Sequence, residues 1–357
     1  MNCFSKLLFG SLAAVAMLAP PVSSALPFDR LVIFGDSLAD SGNAKFLLVG
    51  VPPTPTPIPS PAFIASAPYA SGRLSNGPVW VEQFADSLGL SAAPSIPPAF
   101  LGGGGTNYAV GGANTGPAGS IPFTSFNLLD QLSMFLDDSS GVASPNSLYI
   151  VEGGGNDARD VVHGGDPSSL IPAYADNIAT ILTDLSAAGA HEFLLANVPD
   201  ASKSPEVQAL GPNAIAAASA ISMAFNAALS AELPSLEASL GIEVHILDLF
   251  GLLDRIVANP AAFNLTDATS TCAFSPQCIA DPSQTFFWDG IHPTTAGHAL
   301  IAQEALAVIQ EAPAAIPEPG TLLLMAFGVI GLISFTLARR QGSALPRFAF
   351  KPISAAA

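Results

Sequence analysis

The sequence predicts an α/β protein, a three-layer sandwich in which a central parallel sheet is flanked by helices. Three observations carry this. Short apolar runs of strand length recur at Leu31–Phe34, Leu148–Val151, Phe193–Val198 and Glu243–Leu247. Longer segments with helical spacing of apolar residues lie between and after them, and strands alternating with helices imply parallel pairing with both faces covered. The first two runs end in glycine-rich polar blocks, at the carboxyl ends where open α/β sheets carry their chemistry.

In chain order, the first 25 residues hold Lys6, the apolar stretch Leu7–Leu18 and the small residues Ser23-Ser24-Ala25. This is the pattern of a secretory signal, with cleavage after Ala25. Leu31 to Leu38 reads Leu-Val-Ile-Phe-Gly-Asp-Ser-Leu, a buried strand that Gly35 bends so that Ser37 stands at its end. Pro52, Pro53, Pro55, Pro57, Pro59 and Pro61 alternate with small residues and favour an extended segment. Helices are expected at Val79–Leu88 and Leu128–Leu136. The glycine run Leu101–Gly105 follows no clear strand and has no lysine, which argues against a phosphate loop.

The strand Leu148–Val151 delivers Gly153-Gly154-Gly155-Asn156-Asp157. Ile171–Ala188 is helical by the spacing of Ile171, Tyr174, Ile178, Ile181, Leu182 and Leu185, with Gly189 as its stop. An alanine-rich helix over Pro212–Ala231 starts on a proline. Leu249–Val257 and Thr295–Ile309 complete the helices, and between them lie a cysteine-containing loop and Asp289-Gly290-Ile291-His292-Pro293. No internal repeat is apparent.

The 357 residues carry a formal charge of −17. Setting aside Lys6, Arg339, Arg340, Arg347, Lys351 and Glu318 leaves six basic and 27 acidic residues between Leu26 and Ile316, a net of −21. Such a surface repels phosphate backbones, so a nucleic-acid partner is not expected. Cys3 lies in the export signal, too far from the cleavage site to be a lipid anchor. Cys272 and Cys278 read as a disulfide in an exported chain, since neither Cys-x-x-Cys nor a histidine pair supports zinc. No His-Glu-x-x-His occurs, because His191-Glu192 runs into Phe193-Leu194-Leu195. Neither a metal nor another cofactor is implied.

A serine hydroxyl needs a base within hydrogen-bond reach and a third group to orient that base. His292 is the candidate base, and Asp289, three residues earlier in a glycine-containing turn, is the candidate orienting acid. His163, His191, His245 and His298 have no acid at that spacing; His298 reads as a surface or packing residue. The pattern around Ser37 is Gly-x-Ser-x-Ala, so the Gly-x-Ser-x-Gly elbow of an ordinary α/β-hydrolase is absent.

The blocks at Gly35–Leu38, Asn107–Ala113, Gly153–Asp157 and Asp289–Pro293, in this order, resemble those of the GDSL or SGNH family of ester hydrolases over roughly Leu31 to Ile309. Tyr69–Trp80 is similar to a stretch shared by its lipase-like and lecithinase-like members. The resemblance implies a flavodoxin-like sheet, a Ser37, Asp289 and His292 catalytic set, and an oxyanion hole from the Ser37 and Gly112 N–H groups and the Asn156 amide. Gly112 is preferred to Gly111 because family spacing puts this glycine five residues after the asparagine matching Asn107.

Pro317-Glu318-Pro319, the uncharged span Thr321–Ala338 and Arg339-Arg340 resemble the PEP-CTERM sorting signal of Gram-negative bacteria, processed in that family by an exosortase. One departure is that residues Gln341 to Ala357 follow the basic pair. The expected organisation is a signal peptide at 1–25, a hydrolase domain at 26–312 and a sorting segment at 313–357 with a membrane span at 321–338. The expected product is an exported serine esterase or lipase of the cell envelope or surface, transiently membrane-anchored and acting on a small-molecule or lipid ester. Two alternatives use the same residues or fold: an acyltransferase, and a surface or matrix binding module. Pocket walls are expected from residues 44–68 and 113–127.

Overall fold

The computed structural model describes residues 28–44, 72–96, 104–117 and 126–310. The export signal at 1–25, the proline-rich segment, most of the 44–68 insertion, part of the 113–127 insertion, and the sorting segment with its span at 321–338 lie outside the described residues. The chain divides into two units after Ile309, and the account below concerns the first.

Four parallel strands form the sheet in the order β1 (Arg30–Phe34), β2 (Ser147–Val151), β3 (Glu192–Ala196) and β4 (Glu243–Leu247). Register runs from Leu31 opposite Leu148 through Tyr149 opposite Phe193 to Leu195 opposite Ile246. Because side chains alternate across a strand, each strand feeds two cores. Leu31, Ile33, Leu148, Ile150 and Leu194 face one core with α1 (Trp80–Leu88), α7 (Leu249–Ala258) and α9 (Thr295–Gln310). Val32, Phe34, Tyr149, Val151 and Phe193 face the other with α2 (Leu128–Asp138), α4 (Pro167–Ala188) and α6 (Pro212–Leu240). This is the three-layer α/β sandwich expected from the alternation of elements.

The edge of β1 that faces away from β2 is not bare. The Ile33 N–H donates to Thr106 O at 2.9 Å, the Tyr108 N–H to Ile33 O at 2.7 Å and the Val110 N–H to Gly35 O at 3.0 Å. Residues 106–110 therefore run beside β1 in the parallel sense, and the glycine block is carried to the same sheet end as Ser37. With Thr106 and Asn107 ahead of Tyr108, Ala109 and Val110, this short stretch lacks the longer apolar run by which the other strands were read.

Two helices are longer than their spacing implied. α4 begins at Pro167, its N-terminus capped by Asp166, whose carboxylate accepts from the Ser168 N–H at 3.0 Å, and it ends on Gly189 with a φ of 118°. α6 runs through Pro234 to Leu240, ending on Gly241. An interior proline costs a helix about 3 kcal/mol. Leu233, Leu236 and Leu240 continue the stripe against the core, and burying such side chains at about 1.5–3 kcal/mol each outweighs that cost. α6 has the length and hydropathy to cross a membrane, but Ala218, Ser222, Phe225, Leu229 and Leu233 are buried within this domain.

α3 (Gly155–Val162), α5 (Pro205–Ala209), α8 (Pro276–Ala280) and the parallel pair β5 (Asp267–Thr271) and β6 (Thr285–Phe287) were not legible in the sequence. α3 and β6 matter most, since each sets one wall of the cleft at the sheet's carboxyl end.

Candidate active site

Gly35 ends β1 where space is tight: a Cβ there would lie 2.9 Å from Glu152 Oε2 and 3.1 Å from Glu152 O. The chain can turn only without a side chain, and the turn is then locked by the Leu38 N–H donating to Asp36 Oδ1 at 2.9 Å. Gln131, reaching in from α2, pairs with both the N–H and the C=O of Gly35 at 2.9 Å each. Ser37 thereby stands at the sheet end with 5% of its surface exposed.

The second wall is built by β6 and the turn after it. Trp288 N–H donates to His292 O at 2.8 Å, and the Thr294 N–H to Phe286 O at 2.7 Å, closing residues 289–292 into a loop. Inside it Asp289 Oδ1 accepts from the Ile291 and His292 N–H groups at 2.9 and 2.8 Å. The segment before α1 pins the far side: Ser75 Oγ donates to Pro293 O at 2.9 Å, and Asn76 Oδ1 accepts from the Thr295 N–H at 2.8 Å.

Ser37 and the loop meet. Ser37 Oγ lies 2.9 Å from His292 Nε2, and His292 Nδ1 lies 2.7 Å from Asp289 Oδ2. His292 and Asp289 are buried. Burial pushes the Asp289 carboxyl up, but the His292 charge, the ring hydrogen bond and the two backbone N–H groups outweigh it and hold the group below its ordinary value. A carboxylate only accepts, so Nδ1 carries the ring proton and Nε2 is left to accept from the serine hydroxyl.

Asn156 occupies the first turn of α3, entered through Gly154 at a φ of 95°. Its Nδ2 donates to Ala113 O at 2.9 Å and to Asp36 Oδ2 at 3.2 Å, so the asparagine ties the glycine block to the serine turn. Asp157 extends the tie, its carboxylate accepting from the Thr115 hydroxyl at 2.8 Å and N–H at 3.0 Å. Gly112 has a φ of 85°, a conformation that favours glycine. The N–H of its neighbour Gly111 is committed to Asp40 Oδ2 at 2.9 Å.

Several residues of this site carried no signal in the sequence reading. Asp40 also accepts from the Gly42, Asn43 and Ala44 N–H groups. Asn43 Nδ2 reaches Asn107 O and Ala109 O at 2.8 and 2.9 Å, and Asn107 Nδ2 reaches Ala39 O at 2.8 Å. Arg159, one helical turn past Asn156, grips Glu206 through two bonds of 2.8 and 2.7 Å. The Glu206 N–H in turn donates to Gly290 O at 3.0 Å, so this ion pair braces α3 against the histidine loop. The spacing of polar residues in helices α3 and α5 was the available clue, and it does not reveal a pair 47 residues apart.

Cys272 and Cys278 are bonded to one another, and the Ala273 N–H donates to Trp288 O at 2.9 Å, immediately before Asp289. His298 is a packing residue rather than a surface one; burial, aided by the His292 charge, lowers its pKa to about 3 and keeps it neutral. Among the described residues no group of three or more His, Cys, Asp or Glu side chains is arranged to hold a metal ion. The cleft around Ser37, Asn156 and His292 encloses about 690 Å³ of empty space, counting where it opens to solvent, with Arg159 and Glu206 in its lining.

A family model described as GDSL-like lipase/acylhydrolase matches residues 31–305, and one described as the PEP-CTERM protein-sorting motif matches residues 315–340. The chain is 27% identical over 347 residues to a phosphatidylcholine-sterol acyltransferase of Aeromonas hydrophila, covering 84% of this chain and 95% of that protein. It is 28% identical over 354 residues to a GDSL esterase/lipase of Arabidopsis thaliana, covering 81% and 87%. Among solved structures, LAE5, an alpha/beta hydrolase enzyme from the metagenome of Lake Arreo, is 16% identical with a TM-score of 0.42, covering 80% of this chain and 97% of that one.

Proposed function

Because the chain belongs to the GDSL-like lipase/acylhydrolase family, we propose that it is an exported serine hydrolase that cleaves carboxylic esters through an acyl-serine intermediate. The observation that carries the reading is the continuous contact from Ser37 Oγ through the His292 ring to Asp289, at 2.9 and 2.7 Å. In this mechanism Ser37 Oγ bonds to the ester carbonyl carbon as its proton passes to His292 Nε2, and the C=O electron pair becomes the oxyanion. Asp289 steadies the imidazolium that results. Collapse breaks the bond to the alkoxy oxygen, which leaves as an alcohol with the proton from His292. Water then gives a proton to His292 and its oxygen to the acyl carbon, and Ser37 departs from the acid with that proton.

The oxyanion is received by the Ser37 and Gly112 N–H groups and the Asn156 amide. Asn156 Nδ2 holds Ala113 O at 2.9 Å and Asp36 Oδ2 at the longer 3.2 Å, so an incoming oxyanion displaces the weaker acceptor.

A fluorophosphonate tests the assignment. It should label Ser37 alone, and Ser37→Ala should abolish both labelling and hydrolysis of short p-nitrophenyl esters. A folded protein inert to probe and esters would favour a binding module on this fold. The Aeromonas relative, named an acyltransferase, supports a second reading in which an alcohol replaces water in the second half-reaction. Products formed with an added alcohol acceptor separate the two. The sorting motif supports delivery to the cell envelope of a Gram-negative host with exosortase-type removal of the span at 321–338. A tagged protein that keeps that span at steady state would indicate a simple anchor instead.

A further inference from the structure

Resting on the ester-hydrolase reading, we propose that a second, wholly apolar cavity beside the Ser37 cleft is the acyl-chain site, and that it selects a linear acyl group of medium length. The cavity shares Leu38, Pro199, Leu253, Phe287 and Ile291 with the cleft. Beyond that common wall it is lined by Leu249 and Leu252 from α7, Phe286 from β6, Pro293, and Ile301 from α9. Among the described residues no polar side chain lines it. Leu38 directly follows Ser37 and Ile291 directly precedes His292, so the wall that the cavity shares with the cleft adjoins both residues.

Interiors are close-packed, and a gap lined by leucine, isoleucine and phenylalanine costs stability in proportion to its size. This one encloses about 390 Å³ of empty space, counting its opening. At ~30 Å³ per water- or methylene-sized group this sets an upper bound of roughly thirteen carbons, and because part of that volume is open to solvent the chain it encloses is shorter.

The two halves of an ester make opposite demands. A leaving alcohol must be solvated and released, and the Arg159–Glu206 pair offers it polar company; that pair lines the cleft and not the apolar cavity. An acyl chain stays tethered to Ser37 until water arrives, and it gains only by leaving water. The apolar cavity therefore takes the acyl half.

The experiment is kcat/KM for p-nitrophenyl esters from acetate to hexadecanoate, alongside a series of alkyl acetates in which only the alcohol lengthens. With a methylene worth about fourfold, kcat/KM should climb by roughly that factor per carbon on the acyl side to about octanoate and then level or fall. The alkyl acetates should respond weakly. Ile301→Phe, which fills the deep end, should cut the octanoate-to-acetate ratio at least tenfold. Leu252→Ala, which widens it, should move the optimum to longer chains and remains informative if the phenylalanine variant does not fold. A flat acyl series, a steep alcohol series, or a chain-length optimum indifferent to both variants overturns the assignment. Fluorophosphonate labelling of Ser37 in the same preparations separates the outcomes: labelled protein with a flat series overturns the acyl site alone, whereas unlabelled protein overturns the hydrolase reading beneath it.

Discussion

Behind the serine turn lies a pair of buried carboxyls whose proton should be visible in the stability of the whole domain. Glu152, 2% exposed, directly follows β2, and its Oε2 accepts from the Asp36 N–H at 3.2 Å while the two carboxyl groups hydrogen-bond to one another. Burial raises both, and the Asp36 charge drives Glu152 further, well above its ordinary 4.5. Glu152 is the partner that keeps the proton, since Asp36 is partly relieved by the Leu38 N–H and the His292 charge. The folded state thus holds a proton that the unfolded chain releases above 4.5. The stabilisation is complete below that pH and is lost as pH climbs toward the folded value, at about 1.4 kcal/mol per pH unit.

With an unfolding entropy of about 2.1 cal/mol/K per residue over residues 31–305, each pH unit of that loss is roughly 2 °C in Tm. Glu152→Gln isolates the effect, because an amide accepts from the Asp36 N–H and donates to its carboxylate as the neutral acid does, yet has no proton to lose. Asp157, raised to about 6 by burial, gives both proteins a slope of the same sign and cancels in the difference. Scanning calorimetry across pH 5–7.5 should therefore show the parent's Tm falling away from the variant's as pH rises, by roughly 2 °C per unit until Glu152 ionises in the fold. A parent-minus-variant difference that does not change with pH would mean that Glu152 is ionised in the fold, and the reasoning fails.

Two other consequences follow from named contacts. Asn156→Ala should lower kcat about a hundred- to a thousandfold with little change in KM, since the amide acts mainly on the charged intermediate; a folded variant turning over esters at the parent rate would remove Asn156 from the oxyanion hole. Reducing the Cys272–Cys278 bond, which closes a loop with a sequence separation of 6, should cost about 2–3 kcal/mol and lower activity through the Ala273–Trp288 contact beside Asp289. Unchanged Tm and kcat after reduction would refute that coupling.

The parts of the fold that could be read from the sequence are those whose signal is local. β2 and β3 are buried on both faces, so they appear as unbroken apolar runs, and α4 announces its end because Gly189 takes a left-handed conformation there. α3 was hidden because its first turn is entered through Gly153, Gly154 and Gly155, which read as a loop. Those glycines serve packing: a Cβ on Gly154 would meet Tyr174 at 2.4 Å and one on Gly153 would meet Leu128 at 2.8 Å. The end of α6 was misjudged because Pro234 is a local signal against helix, overruled by leucines that find their partners far away in sequence.

The site divides along the same line. Serine, aspartate and histidine could be picked out because their chemistry restricts the residue types that perform it. Asp40, Glu152 and Glu206 could not, because a carboxylate in a sequence looks the same whether it meets solvent or four backbone N–H groups. The neighbouring pair Gly111 and Gly112 illustrates what the missing partner decides. Family spacing favoured Gly112, but adjacent glycines admit a slip of one residue. Asp40 bears on that choice from 71 residues away: its Oδ2 takes the Gly111 N–H at 2.9 Å, and the same carboxylate is held by the turn that follows Ser37. Delivering the Gly111 N–H to an oxyanion would require giving up that bond and uncoupling the glycine block from the turn that follows Ser37. The proposal that Gly112 lies in the oxyanion hole therefore depends less on counting from Asn107 than on a buried acid that fixes where its neighbour points.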